Sequence, residues 1–175
     1  MTYDTSILNK WDLDKVSLLY PKVRDRFLHF LLECKSKKIN GGFFMSYRTF
    51  EEQNNLYAQG RTKPGNIVTQ AIGGMSYHNY GLACDFVFKV KNNWTWEGDY
   101  DRVGRIAKLN GLEWGGSWGK GKVDNPHLQV TFNQPIEKLL AIYKKSNTVI
   151  QGIKTIGQNG NLIRVWSYLD SLKIT

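Results

Sequence analysis

Apolar side chains first fall into a helical rhythm at Val23, Phe27, Phe30, Leu31 and Cys34, one stripe of a helix opened by Pro21. Lys35 to Lys38 close that helix with cations at its negative end. Ahead of it, Lys10 to Lys15 is a polar lead-in whose apolar residues are too sparse to predict an element. Asn40-Gly41-Gly42 turns the chain, and Phe43 to Tyr47 predicts a short buried strand. Thr49-Phe50-Glu51-Glu52 is a capping box for a helix reaching Gln59 and stopped by Gly60. Gly60 to Gly74 shows neither period, and structureless loops of this length are commonly functional.

Alternation returns at Leu82 to Val90, where Ala83, Asp85 and Val87 face one way and Leu82, Cys84, Phe86 and Phe88 the other. Lys91 to Trp96 reads as a polar connection. Val103, Ile106, Ala107 and Asn110 trace a helix ended by Gly111, followed by a brief strand at Leu112-Glu113-Trp114. After a glycine-rich loop carrying Trp118, the stretch His127 to Phe132 alternates again, with His127, Gln129 and Thr131 on one face. Pro135 opens a helix with Ile136, Leu139, Leu140 and Tyr143 on one side. In the tail, Asn159-Gly160 marks a turn, and Leu162, Val165, Trp166, Leu169 and Leu172 predict a closing amphipathic helix. The expected fold class is α+β, a small antiparallel sheet flanked by helices. The expected division is a main domain over residues 1–146 and an extension over 147–175.

Composition trims the possibilities. The chain has 175 residues, enough to bury a full core, and no apolar run approaches the ~20 residues of a membrane span. Met1 to Ser6 lacks a basic segment leading into an apolar one, so no secretory signal peptide is read there. A formal charge of +9 favours a polyanionic partner such as nucleic acid, an anionic membrane surface or an anionic cell wall. The charges are scattered and no nucleic-acid motif accompanies them, so nucleic acid is not the expected partner. Cys34 and Cys84 have no metal-like spacing and read as buried free thiols.

The chemistry concentrates in two places. His78 and Asp85 lie across a glycine-containing turn into a strand, and Asp124-Asn125-Pro126-His127 leads into another. His29 sits in a helix apart from both. Two imidazoles and a carboxylate suit zinc and leave a fourth position for water. Alternation turns Cys84 away from Asp85, which removes the thiol as a fellow ligand. Pro126 keeps Asp124 out of a helix and in the turn before His127, where it could exchange a proton with that water. A single His or Asp at a strand end is ordinary in any fold, so spacing alone leaves plain structural roles open. On pattern alone Arg48, at a strand-to-helix corner, reads as a surface arginine pairing with Glu51 or Glu52.

A series of ordered motifs goes further. Ser46-Tyr47-Arg48-Thr49, Gln53, Leu56-Tyr57, Gln59 to Gly65, Val68-Thr69, Ser76 to Asp85, Glu113 to Gly116 and Asp124 to His127 follow one another in order. Together they resemble the L-alanyl-D-glutamate peptidases of phage endolysins and their bacterial relatives, within the zinc D-Ala-D-Ala metallopeptidase superfamily. The match spans Pro21 to Phe132. It implies His78, Asp85 and His127 as ligands of one zinc ion per chain, Asp124 as catalytic acid/base and Arg48 as stabiliser of the oxyanion. It also implies Ser76 and Gln53 as substrate contacts, Trp114 as part of the cleft lining and the Gly60–Gly74 loop as a cleft wall. Much of the superfamily carries glutamate where this chain has Asp124, one methylene longer.

The substrate implied is the peptide stem of bacterial peptidoglycan, cut between L-Ala and D-Glu. A D-Ala-D-Ala carboxypeptidase on the same site is the alternative, and a non-catalytic wall-binding module is the alternative of another class. Retention of Arg48 and Asp124 beside three ligands speaks against the latter. A monomer is expected, made in the host cytoplasm and reaching the wall once the membrane is permeabilised. From Asn133 onward six basic residues stand against two acidic ones, compatible with anionic wall polymers. A hairpin-and-helix extension packed on the catalytic domain is the plainer reading of that tail.

Overall fold

The computed structural model describes residues 5–145 and 160–172. Its helices are α1 (Lys10–Ser17), α2 (Arg24–Ser36), α3 (Phe50–Ala58), α4 (Tyr100–Leu109), α5 (Ile136–Lys144) and α6 (Gly160–Ser171). Its strands are β1 (Gly41–Met45), β2 (Ala83–Val90), β3 (Asn93–Thr95), β4 (Glu113–Trp114) and β5 (His127–Gln129). The strands form one antiparallel sheet in the order β1-β2-β5-β4, with β3 also on β2. The α+β class read from the sequence is the observed one. The chain divides into two compact units, Met1–Arg48 with Gly81–Val130 and Thr49–Tyr80 with Thr131–Thr175.

The first unit holds the whole sheet. The stripe predicted for α2 is the one it buries: Phe27, Phe30, Leu31 and Cys34. Phe30 meets Phe86 of β2 edge-on at 5.5 Å and stacks on Phe43 of β1 at 5.8 Å. Edge-on and offset ring pairs add to the burial of their large apolar surfaces. Val103, Ile106 and Ala107 of α4 are buried as well.

Two elements escaped the sequence reading. The lead-in is a helix, α1, whose N-cap Asn9 accepts from Asp12 N at 2.8 Å. Its residues lie along the free edge of β1: Trp11 Nε1 donates to Phe43 O at 2.8 Å, and Phe43 N donates to Asp12 Oδ1 at 3.1 Å. Two side chains thus occupy the donor and acceptor that an open edge would offer to another strand. Asp12 is fully buried, and burial pushes its carboxyl pKa up. The supposed polar connection contains β3, joined to β2 by a two-residue turn between Val90 and Asn93 with Lys91 at φ 55°. The predicted strand at His127 is shorter than read, because Phe132 and Asn133 take φ of 50° and 55°.

The second unit contains α3, α5 and α6. Thr49 and Glu52 complete the predicted capping box. The Gly60–Gly74 segment is irregular but fastened: Arg61 lies 3.9 Å from the Tyr57 ring and donates to Tyr57 O (2.7 Å), Thr69 O (3.1 Å) and Gln70 Oε1 (2.7 Å). Of the tail, α6 buries Leu162, Val165, Trp166 and Leu169, the predicted apolar face. The turn read at Asn159-Gly160 begins outside the described residues.

Candidate metal centre

Antiparallel pairing of β2 with β5 sets Asp85 opposite His127. Asp85 Oδ1 lies 3.4 Å from His127 Nδ1, and its Oδ2 lies 3.4 Å from Arg48 Nη2. On its other side Asp85 pairs with Met45, where the β1 register slips between Phe43 and Met45. Such bulges re-aim side chains beside functional sites.

His78 lies in a 3-10 turn, Tyr77–Tyr80, braced from within its own unit. Asn79 Oδ1 accepts from Gly74 N at 2.9 Å, Asn79 Nδ2 donates to Thr49 O at 3.3 Å, and Tyr80 OH donates to Gly74 O at 2.8 Å. Gly74 has φ 88°, and a Cβ there would press on Leu140 and the Phe50 ring. One ligand atom each from His78, Asp85 and His127 lies within 4.8 Å of the other two.

This donor set fits a divalent cation. Ligand atoms about 2.1 Å from a tetrahedral centre stand about 3.4 Å apart, the separation found between Asp85 and His127. A charge-assisted hydrogen bond would be shorter, at about 2.8 Å. Burial works against a charged His127, yet the adjacent Asp85 carboxylate, with Asp124 and Gln129, outweighs it and holds the His127 pKa above its ordinary value. The pocket favours a cation, whether a proton or a metal. Cys84 is buried on the opposite face of β2, away from the ligand group, and burial pushes its thiol pKa well up.

The other predicted residues divide. Arg48 is 8% exposed and pairs with Asp85, while Glu52 is engaged with Thr49, which corrects the surface-pair reading. Asp124 is exposed in the turn before β5, donating from N to Gly115 O (3.1 Å) and accepting from His127 N (3.2 Å). Any side chain at Gly115 would run into Asp124 O, so glycine allows this turn to dock. Ser76 is half-buried, and its carbonyl accepts from Asn79 N.

Gln53 and Trp114 both sit in packed surroundings. Gln53 is 0% exposed, and its amide donates to Ala71 O (2.7 Å) and Thr69 Oγ1 (3.3 Å). It fastens the long loop to α3. Trp114 is also buried, its Nε1 donating to Asn125 O at 2.8 Å. Its ring props the turn that carries Asp124. An aromatic side chain beside one of the ligands is Trp118, whose ring centroid is 5.2 Å from that of His127. The sequence reading noted Trp118 only as a loop residue, since nothing in the local pattern ties it to β5.

Comparison with known proteins agrees with this geometry. Residues 69–130 match a peptidase M15 family model described as D-alanyl-D-alanine carboxypeptidase. The chain is 42% identical over 133 residues to the peptidoglycan L-alanyl-D-glutamate endopeptidase CwlK of Bacillus subtilis (strain 168), covering 70% of this chain and 79% of that one. In fold it is similar to the L-Ala D-Glu endopeptidase ChiX of Serratia marcescens, with a TM-score of 0.53, 24% identity, and coverage of 69% and 86% of the two chains. Identity at this level over most of both sequences, joined to a His-Asp-His ligand group, makes the chain a member of the peptidase M15 family of metallopeptidases.

Proposed function

We propose that this protein is a zinc-dependent peptidoglycan hydrolase that cleaves the L-Ala–D-Glu bond of the stem peptide. The observation that carries the reading is the convergence of His78, Asp85 and His127 ligand atoms, with Arg48 on the second oxygen of Asp85. His78, Asp85 and His127 would hold one zinc ion. Zinc so held supplies a polarised scissile carbonyl and a water whose pKa falls toward ~7.

The protein's own residues supply the rest. Asp124 accepts the proton of the attacking water and delivers it to the leaving amine of D-Glu. Arg48 pairs with Asp85 at 3.4 Å and presents a fixed, nearly dry cation to the oxyanion that develops on the attacked carbonyl. Trp118 stands with its ring centroid 5.2 Å from that of His127. Ser76 remains a candidate for substrate contact. The net charge of +9 supports affinity for an anionic wall.

A second reading, removal of terminal D-Ala, is favoured by the description of the family model matched over residues 69–130. CwlK, matched over more of the chain, favours the endopeptidase. A silent wall-binding module is disfavoured by the Arg48–Asp85 pairing, which binding alone does not require. Among the described residues no helix is long and apolar enough to cross a membrane. Action in phage lysis, after membrane permeabilisation, is a setting supported by the family resemblance.

For the tail we favour packing over wall targeting. Trp166 Nε1 donates to Tyr80 O at 2.8 Å and Tyr168 OH to Gln134 Oε1 at 2.6 Å, so α6 is tied to the second unit. Incubating purified peptidoglycan with the protein tests the main reading. Solubilisation should stop on chelation and return with zinc. Undiminished activity in excess chelator would refute it.

A further inference from the structure

A chain of side chains runs from the surface of the sheet to His127. The ring Nε2 of His127 lies 2.9 Å from Gln129 Oε1, and Gln129 Nε2 donates to Glu113 Oε2 at 3.1 Å. Strand register builds it: Gln129 follows His127 by two on β5, on the same face, and pairs with Glu113 across β4. His127 and Gln129 are both buried.

The chain has a direction. A carboxylate only accepts hydrogen bonds, so Glu113 turns the amide of Gln129 with its NH₂ outward and its oxygen inward. An inward-facing amide oxygen also only accepts, so it demands a hydrogen on His127 Nε2. A neutral imidazole carries one ring hydrogen, and with Nε2 protonated the lone pair falls on Nδ1. Nδ1 is the ring atom 3.4 Å from Asp85 Oδ1. Ring orientation and tautomer are thereby matched to the side where the ligand atoms gather.

We propose that Glu113 and Gln129 are positioning residues that fix the Nε2–H tautomer of His127 and aim its Nδ1 lone pair at the metal position. This rests on the zinc reading above. The pair acts through His127. Partners of this kind typically change metal affinity by about 10- to 100-fold when lost.

Zinc affinity by chelator competition tests the proposal, alongside the ring ¹⁵N shifts of His127 in the zinc-loaded protein and the melting temperature of the metal-free protein. Gln129→Ala should weaken zinc about 10- to 100-fold while leaving metal-free melting little changed. Glu113→Gln lets the Gln129 amide flip, and should weaken zinc less while broadening or shifting the Nε2 signal. The exchanged pair, Glu113→Gln with Gln129→Glu, again offers an acceptor to Nε2–H and should bind zinc within about threefold of the parent, as in carboxylate–histidine–zinc arrangements. Parent-like affinity and shifts in both single variants would overturn the relay. So would loss of affinity in the exchanged pair that simply tracks a loss of melting temperature. If the parent protein itself takes up no zinc, the metal reading fails and the relay with it; if the parent binds and the variants match it, the relay alone fails.

Discussion

Asp85 and His127 face each other across adjacent antiparallel strands, with Oδ1 and Nδ1 3.4 Å apart. Backbone hydrogen bonds on both strands fix that separation before any ion arrives. A site built on paired strands is more exact than one built on loops.

Removing one of these ligands should remove the ion. His127→Ala is expected to lose bound zinc and to lower turnover by more than the about 10- to 100-fold that loss of an outer partner costs. Metal analysis of the purified variant checks it. Full zinc occupancy with normal activity would exclude His127 as a ligand.

Asp124 stands apart from the ligand group in role. Asp124→Asn should keep one zinc per chain and lower kcat by about 10²- to 10⁴-fold, the range of a lost general acid/base. Unchanged turnover would remove Asp124 from the proton transfer.

Arg48 should matter chiefly for turnover. Arg48→Ala is expected to lower kcat about 10²- to 10³-fold, as for loss of an oxyanion donor, with a smaller change in KM. Arg48→Lys should recover only part of this, because an ammonium does not reproduce the guanidinium fork. A change confined to KM would point to plain substrate binding.

pH should act oppositely on the metal-free and zinc-loaded forms. In the metal-free protein the His127 pKa is held above 6.5, despite burial, by Asp85, Asp124 and Gln129. A group with a raised folded pKa contributes stability that is full below its unfolded pKa and lost as pH rises through the folded one. Metal-free melting temperature should therefore fall as pH climbs from about 6.5. Zinc requires the neutral imidazole, so the melting temperature gained on zinc addition should grow over the same range. Scanning calorimetry at several pH values reads both trends, and a zinc effect independent of pH would contradict them.

The tail helix should carry stability. Trp166 is buried in α6 and bonds the carbonyl of Tyr80, two residues from His78. Trp166→Ala is expected to cost about 3–5 kcal/mol, as for other buried aromatic truncations. Denaturant unfolding checks it. Wild-type stability, or a deletion of 147–175 that loses only wall binding, would favour a targeting tail.

What the sequence revealed followed from periodicity. The α2 stripe and the opposite facing of Asp85 and Cys84 need only the geometry of a helix and a strand. The helix α1 was illegible because its anchors, Trp11 and Asp12, reach Phe43 more than thirty residues away. The bonds of Gln53 to Ala71 and of Trp114 to Asn125 were likewise illegible, because each joins an α3 or β4 side chain to a loop carbonyl whose place only the fold sets. Gln129 was visible on the His127 face, but its link to Glu113 required knowing that β4 pairs with β5.

The identity of the bond cut is the central claim, and mass spectrometry of peptidoglycan digested by the zinc-loaded protein tests it most directly. Cleavage at the L-Ala–D-Glu bond should yield stem peptides with a new N-terminal D-Glu, leaving L-Ala on the glycan. Stems shortened only by one terminal D-Ala, with no new D-Glu terminus, would contradict it.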